Sequence, residues 1–518
     1  MMTAVEPACG LGAFLGPMVA RLSKSCRTYG RSIADIPQAI HAVDLLAHNV
    51  ATCRQVVTAQ LIADGWSVQD SASAAKTWIH HGDYLLGTAT DVPADFVLGN
   101  PPYIRLEDVP MDRMAAYRAA CPSMVGRSDV YIGFYDVGLR SLRPEGILGF
   151  ICADRWMRNQ YGRHLRQLIG AGFSVDATIV MHDVDAFTDQ VSAYPAISIL
   201  RRGHQAKTVL VEATKAFLPD DGAMIADWVR QRTVPTERND RFEIATLPGW
   251  FSGKESWPSG SPSRLALIED LNERFPALED SRTGTRVGIG VATGADSVFL
   301  TRDAELDVEA DRLLPLSTVA DTVTGSLDWT GHYLVNPWDD RGQLVELNSY
   351  PRLRAYFQRN ARSLTSRHVT SKRPMQWYRT IDKVDRKLSP RTKLLIPDLK
   401  STIHPVLDEQ SLYPHHNLYY IISDVWDMRV LGGLLLSKVA QAFVEAYAVR
   451  MRGGTLRFQA QYLRRIRVPY PDSIAAADSA TLADAFDRRD VQLATRTALR
   501  IYGIDDQEGS LGFGSGKV

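Results

Sequence analysis

Asn100-Pro101-Pro102-Tyr103 follows directly on the apolar run Phe96-Val97-Leu98, with Gly99 between them. The run reads as a short buried strand, and the glycine as a turn signal at its end. Two consecutive prolines lack N–H groups and restrict the backbone around them. A carboxamide and a phenol ring are therefore fixed on a stiff loop at a strand's carboxyl end. Open α/β sheets bind their ligands at that end.

Three further motifs offer groups that could serve such a ligand. In "VEPACGLGAFL", Val5 to Leu15, a strand end leads through Gly10 and Gly12 into a helix. Glycines there let the backbone approach a ligand closely. The pattern falls short of a full G-x-G-x-x-G, so an ordinary glycine turn is the competing reading. In "IHAVDLLAHN", Asp44 ends an apolar strand, where a carboxylate accepts hydrogen bonds from ribose hydroxyls. Helix N-capping is the alternative for Asp44. In "HHGDYLLG", Asp83 could accept from an adenine amino group, with Tyr84 and Leu85 beside the ring; a surface turn is the alternative.

These residues need a layered scaffold. The first 200 residues alternate apolar runs with helical patterns, as α/β folds do. Strands are expected at Ile40–Val43, Phe96–Leu98, Gly146–Ile151, Ala177–Met181 and Ala196–Leu200. A helix is expected from about Asp129 to Leu142, stopped by Pro144 and Gly146. The polar, Gly/Pro-rich stretch 218–262 reads as the region between domains. The division expected is a catalytic domain over 1–245, a second domain over 246–505 and a disordered Gly/Ser-rich tail over 506–518.

The bulk numbers permit this plan. The chain has 518 residues, 45% of them hydrophobic, enough for more than one core. Formal net charge is zero, so composition does not by itself announce nucleic acid. Cys9, Cys26, Cys53, Cys121 and Cys152 form no CxxC pair. That suits reduced thiols in the cytoplasm and yields no metal site. No run is long and apolar enough to span a membrane, and "MMTAVEPACG" does not read as a signal peptide.

Taken together and in order, "EPACGLGAFL", "VDL", "GDYL" and "NPPY" resemble the gamma-class N6-adenine DNA methyltransferases. "SDVYIGFYDVGLRSLRPEGILGFICADRWMRNQYGRHLRQLI" and "FTDQVSAYPAISILRR" continue the resemblance. "VGIGVATGADSVFL", "LYPHHNLYYII" and "LLLSKVAQAFVEAYAVRMRGGTLRFQAQYLRRIRVPYP" look like a TaqI-like specificity domain. The resemblance implies a Rossmann-like methyltransferase sheet with helices on both faces, followed by a mixed α+β target-recognition domain. It implies S-adenosylmethionine as cofactor, held by Glu6, Pro7, Ala8, Gly10, Gly12, Asp44, Leu45, Asp83, Tyr84, Asn100 and Phe134. Read without it, Phe134 is a core position on an amphipathic helix. The implied catalytic residues are Asn100, Pro101, Pro102 and Tyr103. The Asn100 oxygen and the Pro101 carbonyl would accept from the adenine amino group. Tyr103 would stack on the flipped base, and Phe187 would close its other face. Tyr194 is the second choice for that face, and core packing is the alternative for either ring. In that family a further segment precedes the glycine motif. Only four residues stand before Val5 here, so the donor pocket is expected to be open on one side.

Charge distribution adds a second argument. Residues 341–400 hold fifteen Lys and Arg against four Asp and Glu, in a chain that sums to zero. Tyr350, Tyr356, Phe357, Trp377 and Tyr378 are interleaved with them. A second basic cluster includes Arg450, Arg452, Arg457, Arg464, Arg465 and Arg467. Such residues contact phosphates and so position a duplex; a solvated face is the competing reading. Arg373, Arg452, Arg457, Arg464 and Arg465 are the expected DNA contacts. The partners expected are double-stranded DNA and, for cleavage, a separate restriction endonuclease, with the chain acting as a monomer. Two other readings stay open: a glutamine-directed protein methyltransferase, which shares NPPY, and a DNA-binding protein with an impaired catalytic domain.

Overall fold

The computed structural model describes residues 2–87, 93–182, 184, 195–448 and 455–504. Phe187, Tyr194, Arg450, Arg452 and the tail 506–518 lie outside the described residues. The chain divides into two units, Met1–Ala266 and Leu267–Val518.

The first unit is built on a ten-stranded sheet. Its strands are β1 (Ala4–Glu6), β2 (Ile40–Asp44), β3 (Ile79–His81), β4 (Ala94–Gly99), β5 (Leu142–Ala153), β6 (Phe173–Val180), β7 (Pro195–Arg202), β8 (Thr208–Ala213), β9 (Glu237–Arg238) and β10 (Phe242–Leu247). The strand order is β3-β2-β1-β4-β5-β7-β6-β8-β10-β9. β1 pairs in parallel with both β2 and β4, whereas β7 runs antiparallel between β5 and β6. From β1 the chain moves outward through β2 and β3, then returns to lay β4 on β1's other side. The strand order therefore reverses between β1 and β4, the topological switch point where such sheets bind ligands.

Side-chain alternation puts a core on each face. On β2, Ile40 and Ala42 join one apolar cluster and Val43 joins another. The first cluster takes Leu15, Val19 and Cys26 from the helix Leu15–Thr28, and Val50, Cys53, Val57 and Leu61 from the helix Ala47–Ala63. The first set is spaced four and seven residues apart and the second three and four, one stripe of each helix. The second cluster receives the helix Tyr131–Ser141, with Tyr135 packed edge-on to Phe150 at 5.0 Å. Truncating Phe150, which is fully buried, is expected to cost about 3–5 kcal/mol.

The stretch 218–262 does not separate the units. It contains the helix Pro219–Gln231, the edge strand β9 and its neighbour β10. Phe242 and Ile244 of β10 are fully buried against Val211 and Ile225. Its prolines, glycines and polar residues mark turns between edge elements. The units part about twenty residues beyond the expected boundary, between Ala266 and Leu267.

The second unit holds two four-stranded sheets. One joins Arg286–Ile289, Leu418–Ile422, Lys393–Pro397 and Val406–Asp408 in that order. The other joins Leu300–Thr301, Tyr333–Val335, Leu313–Ser317 and Tyr413–Pro414. The longer helices that follow include Met428–Leu436, Lys438–Tyr447, Ala476–Asp487 and Val491–Tyr502. Among the described residues no single helix is long and apolar enough to cross a membrane.

Candidate active site

The loop after β1 is shaped by two glycines. Gly10 and Gly12 have φ of 52° and 93°, the left-handed region that side chains disfavour. A Cβ at Gly10 would meet nothing within 4 Å, so conformation rather than space demands glycine. The Asp44 carboxylate fixes this loop from the end of β2. It accepts from the Gly10 N–H at 2.8 Å, the Leu46 N–H at 2.9 Å and the Asn49 amide at 3.0 Å. A carboxylate offers about four acceptor positions, so one remains for a ligand. Leu45 beside it is 44% exposed. Cys53 donates to the Gly10 carbonyl at 3.3 Å from beneath.

The next acid, Asp83, is equally anchored. It accepts from the Leu85 N–H at 3.1 Å and the Tyr117 hydroxyl at 2.7 Å. Tyr84 faces inward: it is 3% exposed and stacks on Phe134 at 5.5 Å. Phe134 is 7% exposed in the same cluster, so both rings serve as core.

The ends of β1 and β4 meet. A Cβ at Gly99 would lie 3.4 Å from Pro7 Cδ and 3.8 Å from Glu6 Cγ. Beyond Gly99, the Asn100 Oδ1 is buried and has no hydrogen-bond partner among the described residues. Glu6 Oε2 is in the same condition. Burial above all, with Cys53 and Asp44 adding to it, pushes the Glu6 carboxyl up from 4.5 to about 9. Glu6 is therefore neutral at pH 7. A buried polar atom without a partner costs about 1–3 kcal/mol. Two such atoms lie at the ends of β1 and β4, beside the switch point.

Tyr103 is half-buried against the second core cluster, and its hydroxyl donates to the Ile151 carbonyl at 3.4 Å. Burial raises its phenol well above the usual range. The loop is strapped down just beyond it: the Ile104 carbonyl accepts from the Val130 N–H at 2.7 Å, and the Arg105 backbone forms an antiparallel bridge with that of Asp129. An amide oxygen and an aromatic face are thus held rigidly at the carboxyl end of β4. The glycine loop, Glu6, Asp44 and Asp83 line the ends of the neighbouring strands. This donor and acceptor set fits S-adenosylmethionine.

The supports behind these groups carry no motif of their own. Cys53 and Tyr117 reach partners 43 and 34 positions away, whereas Asn49 reaches back five positions to Asp44. A buried network lies farther along the sheet: Asp154 binds Arg158 at 2.5 Å, His182 at 2.8 Å and the Ser259 hydroxyl at 2.9 Å. Burial alone would raise the Asp154 carboxyl, but Arg158 and His182 outweigh it and hold it below the ordinary range.

In the second unit the basic residues divide. Lys393 is fully buried and paired with Asp408 at 2.9 Å. Arg367 donates to the carbonyls of Leu364, Thr293, Trp377 and Arg379 at 2.8–3.0 Å. Arg386 and Arg391 pair with Asp340 and Asp424. Phe357 is fully buried, while the Tyr356 and Tyr378 hydroxyls bind backbone carbonyls, so these aromatics belong to the core. Arg464 pairs with Glu279 at 3.0 Å and donates to the Val287 carbonyl at 2.8 Å. Arg465 lies over the Tyr447 ring, and Arg457 pairs with Asp398. Arg457 and Arg464 therefore have internal partners. Arg359, Arg362, Lys372 and Arg373 are exposed and have no ion-pair partner among the described residues.

Known proteins share this organisation. Residues 41–187 match the Eco57I restriction-modification methylase family, and residues 351–468 match the TaqI-like C-terminal specificity domain. The chain is 41% identical over 516 residues to the Type II methyltransferase M.PaeR7I of Pseudomonas aeruginosa, covering 99% of this chain and 89% of that protein. It is 39% identical over 508 residues to the Type II methyltransferase M.XhoI of Xanthomonas vasicola, covering 97% and 92%. The fold matches the structure of the Type IIL restriction-modification enzyme MmeI in complex with DNA, at a TM-score of 0.56 and 13% identity over 98% of this chain and 71% of that one. The chain belongs to the Type II methyltransferases of restriction-modification systems, an S-adenosylmethionine-dependent methylase unit followed by a TaqI-like specificity domain.

Proposed function

We propose that this methyltransferase acts on the N6 amino group of an adenine flipped out of duplex DNA. The observation that supports this most is the buried Asn100 Oδ1 without a partner, on the rigid loop after β4. An adenine amino group is a poor nucleophile because its lone pair is delocalised into the ring. Asn100 Oδ1 and the Pro101 carbonyl accept its two N–H groups and draw the nitrogen toward sp³ geometry as it attacks. S-adenosylmethionine, when bound, supplies a methyl group on a positively charged sulfur. The N–C bond forms, the S–C bond breaks with its electrons going to sulfur, and the surplus proton leaves the nitrogen for solvent. No strong base is required.

Flipping the base costs a few kcal/mol. Stacking on Tyr103 recovers roughly 1–3 kcal/mol. Phe187 closes the other face in this reading. Gly10, Gly12, Asp44 and Asp83 position the donor, and neutral Glu6 offers it a hydrogen bond without competing charge. Residues of the second unit hold and read the duplex. The chain works as a monomer in the cytoplasm, beside a separate endonuclease that cleaves unmodified sites.

Tritium transfer from labelled S-adenosylmethionine to duplex DNA, followed by digestion to nucleosides, tests the proposal. Label in N6-methyladenine is the expected result. Label in a methylated cytosine, or in protein instead of DNA, overturns it.

A further inference from the structure

The second unit contains a group of side chains that methyl transfer does not use. Asp296, His415 and His416 each bring one ligand atom to within 4.8 Å of the other two. His415 Nε2 lies 3.4 Å from Asp296 Oδ2 and 2.9 Å from His416 Nδ1. Ligands held about 2.0–2.1 Å from a tetrahedral zinc ion sit roughly 3.3 Å apart. The two observed separations bracket that value.

Backbone pairing holds the three residues in place. The His415 N–H donates to the Ser317 carbonyl at 2.9 Å, and the His416 N–H to the Val291 carbonyl at 3.1 Å. The Leu418 N–H closes a turn onto the His415 carbonyl at 2.8 Å. That turn brings both imidazoles to one side. The neighbouring segment approaches so closely that a Cβ at Gly290 would fall 2.2 Å from the His415 carbonyl oxygen. Asp296 is fixed by the Thr293 hydroxyl, which donates to its other oxygen. His415 is 6% exposed, whereas the Asp296 side chain is 49% exposed, so the group is open to solvent on one side. Nearby His332 is engaged elsewhere, Nε2 with Arg302 and Nδ1 with Thr330.

We propose that Asp296, His415 and His416 bind a divalent transition-metal ion, Zn²⁺, with solvent in the fourth position. Two imidazoles and one carboxylate suit zinc, whereas Mg²⁺ and Ca²⁺ prefer oxygen ligands. The ion would clip the segment 291–296 to the turn at 415–418. The clipped segment carries more than itself. The Thr293 carbonyl accepts from Arg367 at 2.9 Å, and the Ala292 carbonyl from the Asp382 N–H at 3.1 Å. Between Arg367 and Asp382 stand the exposed Lys372 and Arg373. The metal thereby sets the position of a basic surface.

The experiment uses the full chain, without a histidine tag, stripped by a chelator and dialysed. Zn²⁺ is titrated by calorimetry, and Co²⁺ is titrated as a spectroscopic probe of coordination. One Zn²⁺ per chain, the strong visible absorption of low-coordinate Co²⁺, and a higher melting temperature with Zn²⁺ are expected. His416→Ala and Asp296→Asn should each weaken Zn²⁺ binding by roughly tenfold or more. His332→Ala should leave it unchanged. Asp296→Asn lies at a half-exposed position, so it keeps the fold while removing the anionic ligand. Failure to bind one equivalent, or equal binding by the Asp296→Asn and wild-type proteins, overturns the proposal. Either result leaves a plain imidazole–imidazole hydrogen bond at this place.

Discussion

The Gly10 N–H points at the Asp44 carboxylate, 2.8 Å away across 34 residues of chain. This contact ties the glycine loop after β1 to the end of β2, so the acid shapes the loop that the proposed function assigns to the methyl donor. Asp44→Ala loses three hydrogen bonds. Both consequences should appear together: weaker S-adenosylmethionine binding and a stability loss of about 1–3 kcal/mol. Calorimetry and thermal denaturation on the same samples check this. An unchanged melting temperature with weaker binding would reduce Asp44 to a ligand contact alone.

Glu6 predicts a pH dependence. Its carboxyl titrates near 9 when folded, against an ordinary value of 4.5. Below 4.5 both folded and unfolded chains hold the proton. Between 4.5 and 9 the unfolded chain releases it and the folded chain keeps it, so stability falls as pH rises through that window. Glu6→Gln should flatten this part of the stability profile of the cofactor-free protein. Denaturant titrations at several pH values decide the matter, and identical slopes for both proteins would contradict it.

Tyr103 separates stacking from packing. Tyr103→Phe loses the long hydrogen bond to the Ile151 carbonyl at 3.4 Å and keeps the ring. Its turnover should stay near that of the wild type. Tyr103→Ala loses the ring face, worth roughly 1–3 kcal/mol, and turnover should fall more than overall duplex affinity. Equal losses in the two variants would assign the role to the hydroxyl instead.

The basic residues of the second unit should behave in two ways. Replacing exposed Lys372 and Arg373 together with Ala should flatten the salt dependence of DNA binding by about two counterions. Arg464→Ala should instead lower the melting temperature, because it breaks the tie to Glu279 and to the Val287 carbonyl. A reduced salt slope in Arg464→Ala at an unchanged melting temperature would reverse this division.

The local motifs were legible because each carries its own geometry. Gly10 and Gly12 announce positive φ, and the two prolines announce a stiff loop after β4. All five expected strands form, as does the helix near Asp129–Leu142, observed at Tyr131–Ser141. What stayed hidden depends on residues far apart in the chain. Tyr84 looked like a ring beside a ligand, yet its burial against Phe134 is decided by packing. The charge excess of 341–400 looked uniform, but Lys393 and Arg367 are consumed internally by partners that composition cannot identify. Strands β9 and β10 hide in a polar stretch because only Phe242, Ile244 and Leu247 mark their buried side.

The most direct test of the mechanism is single-turnover methylation by Asn100→Ala, with DNA and S-adenosylmethionine saturating and both affinities measured separately. In the proposed mechanism the variant loses an acceptor that matters most in the transition state. The rate of methyl transfer should fall by a factor on the order of 10²–10³, with duplex affinity little changed. Wild-type turnover in Asn100→Ala would contradict the assignment of Asn100 Oδ1 as the acceptor of the adenine amino group.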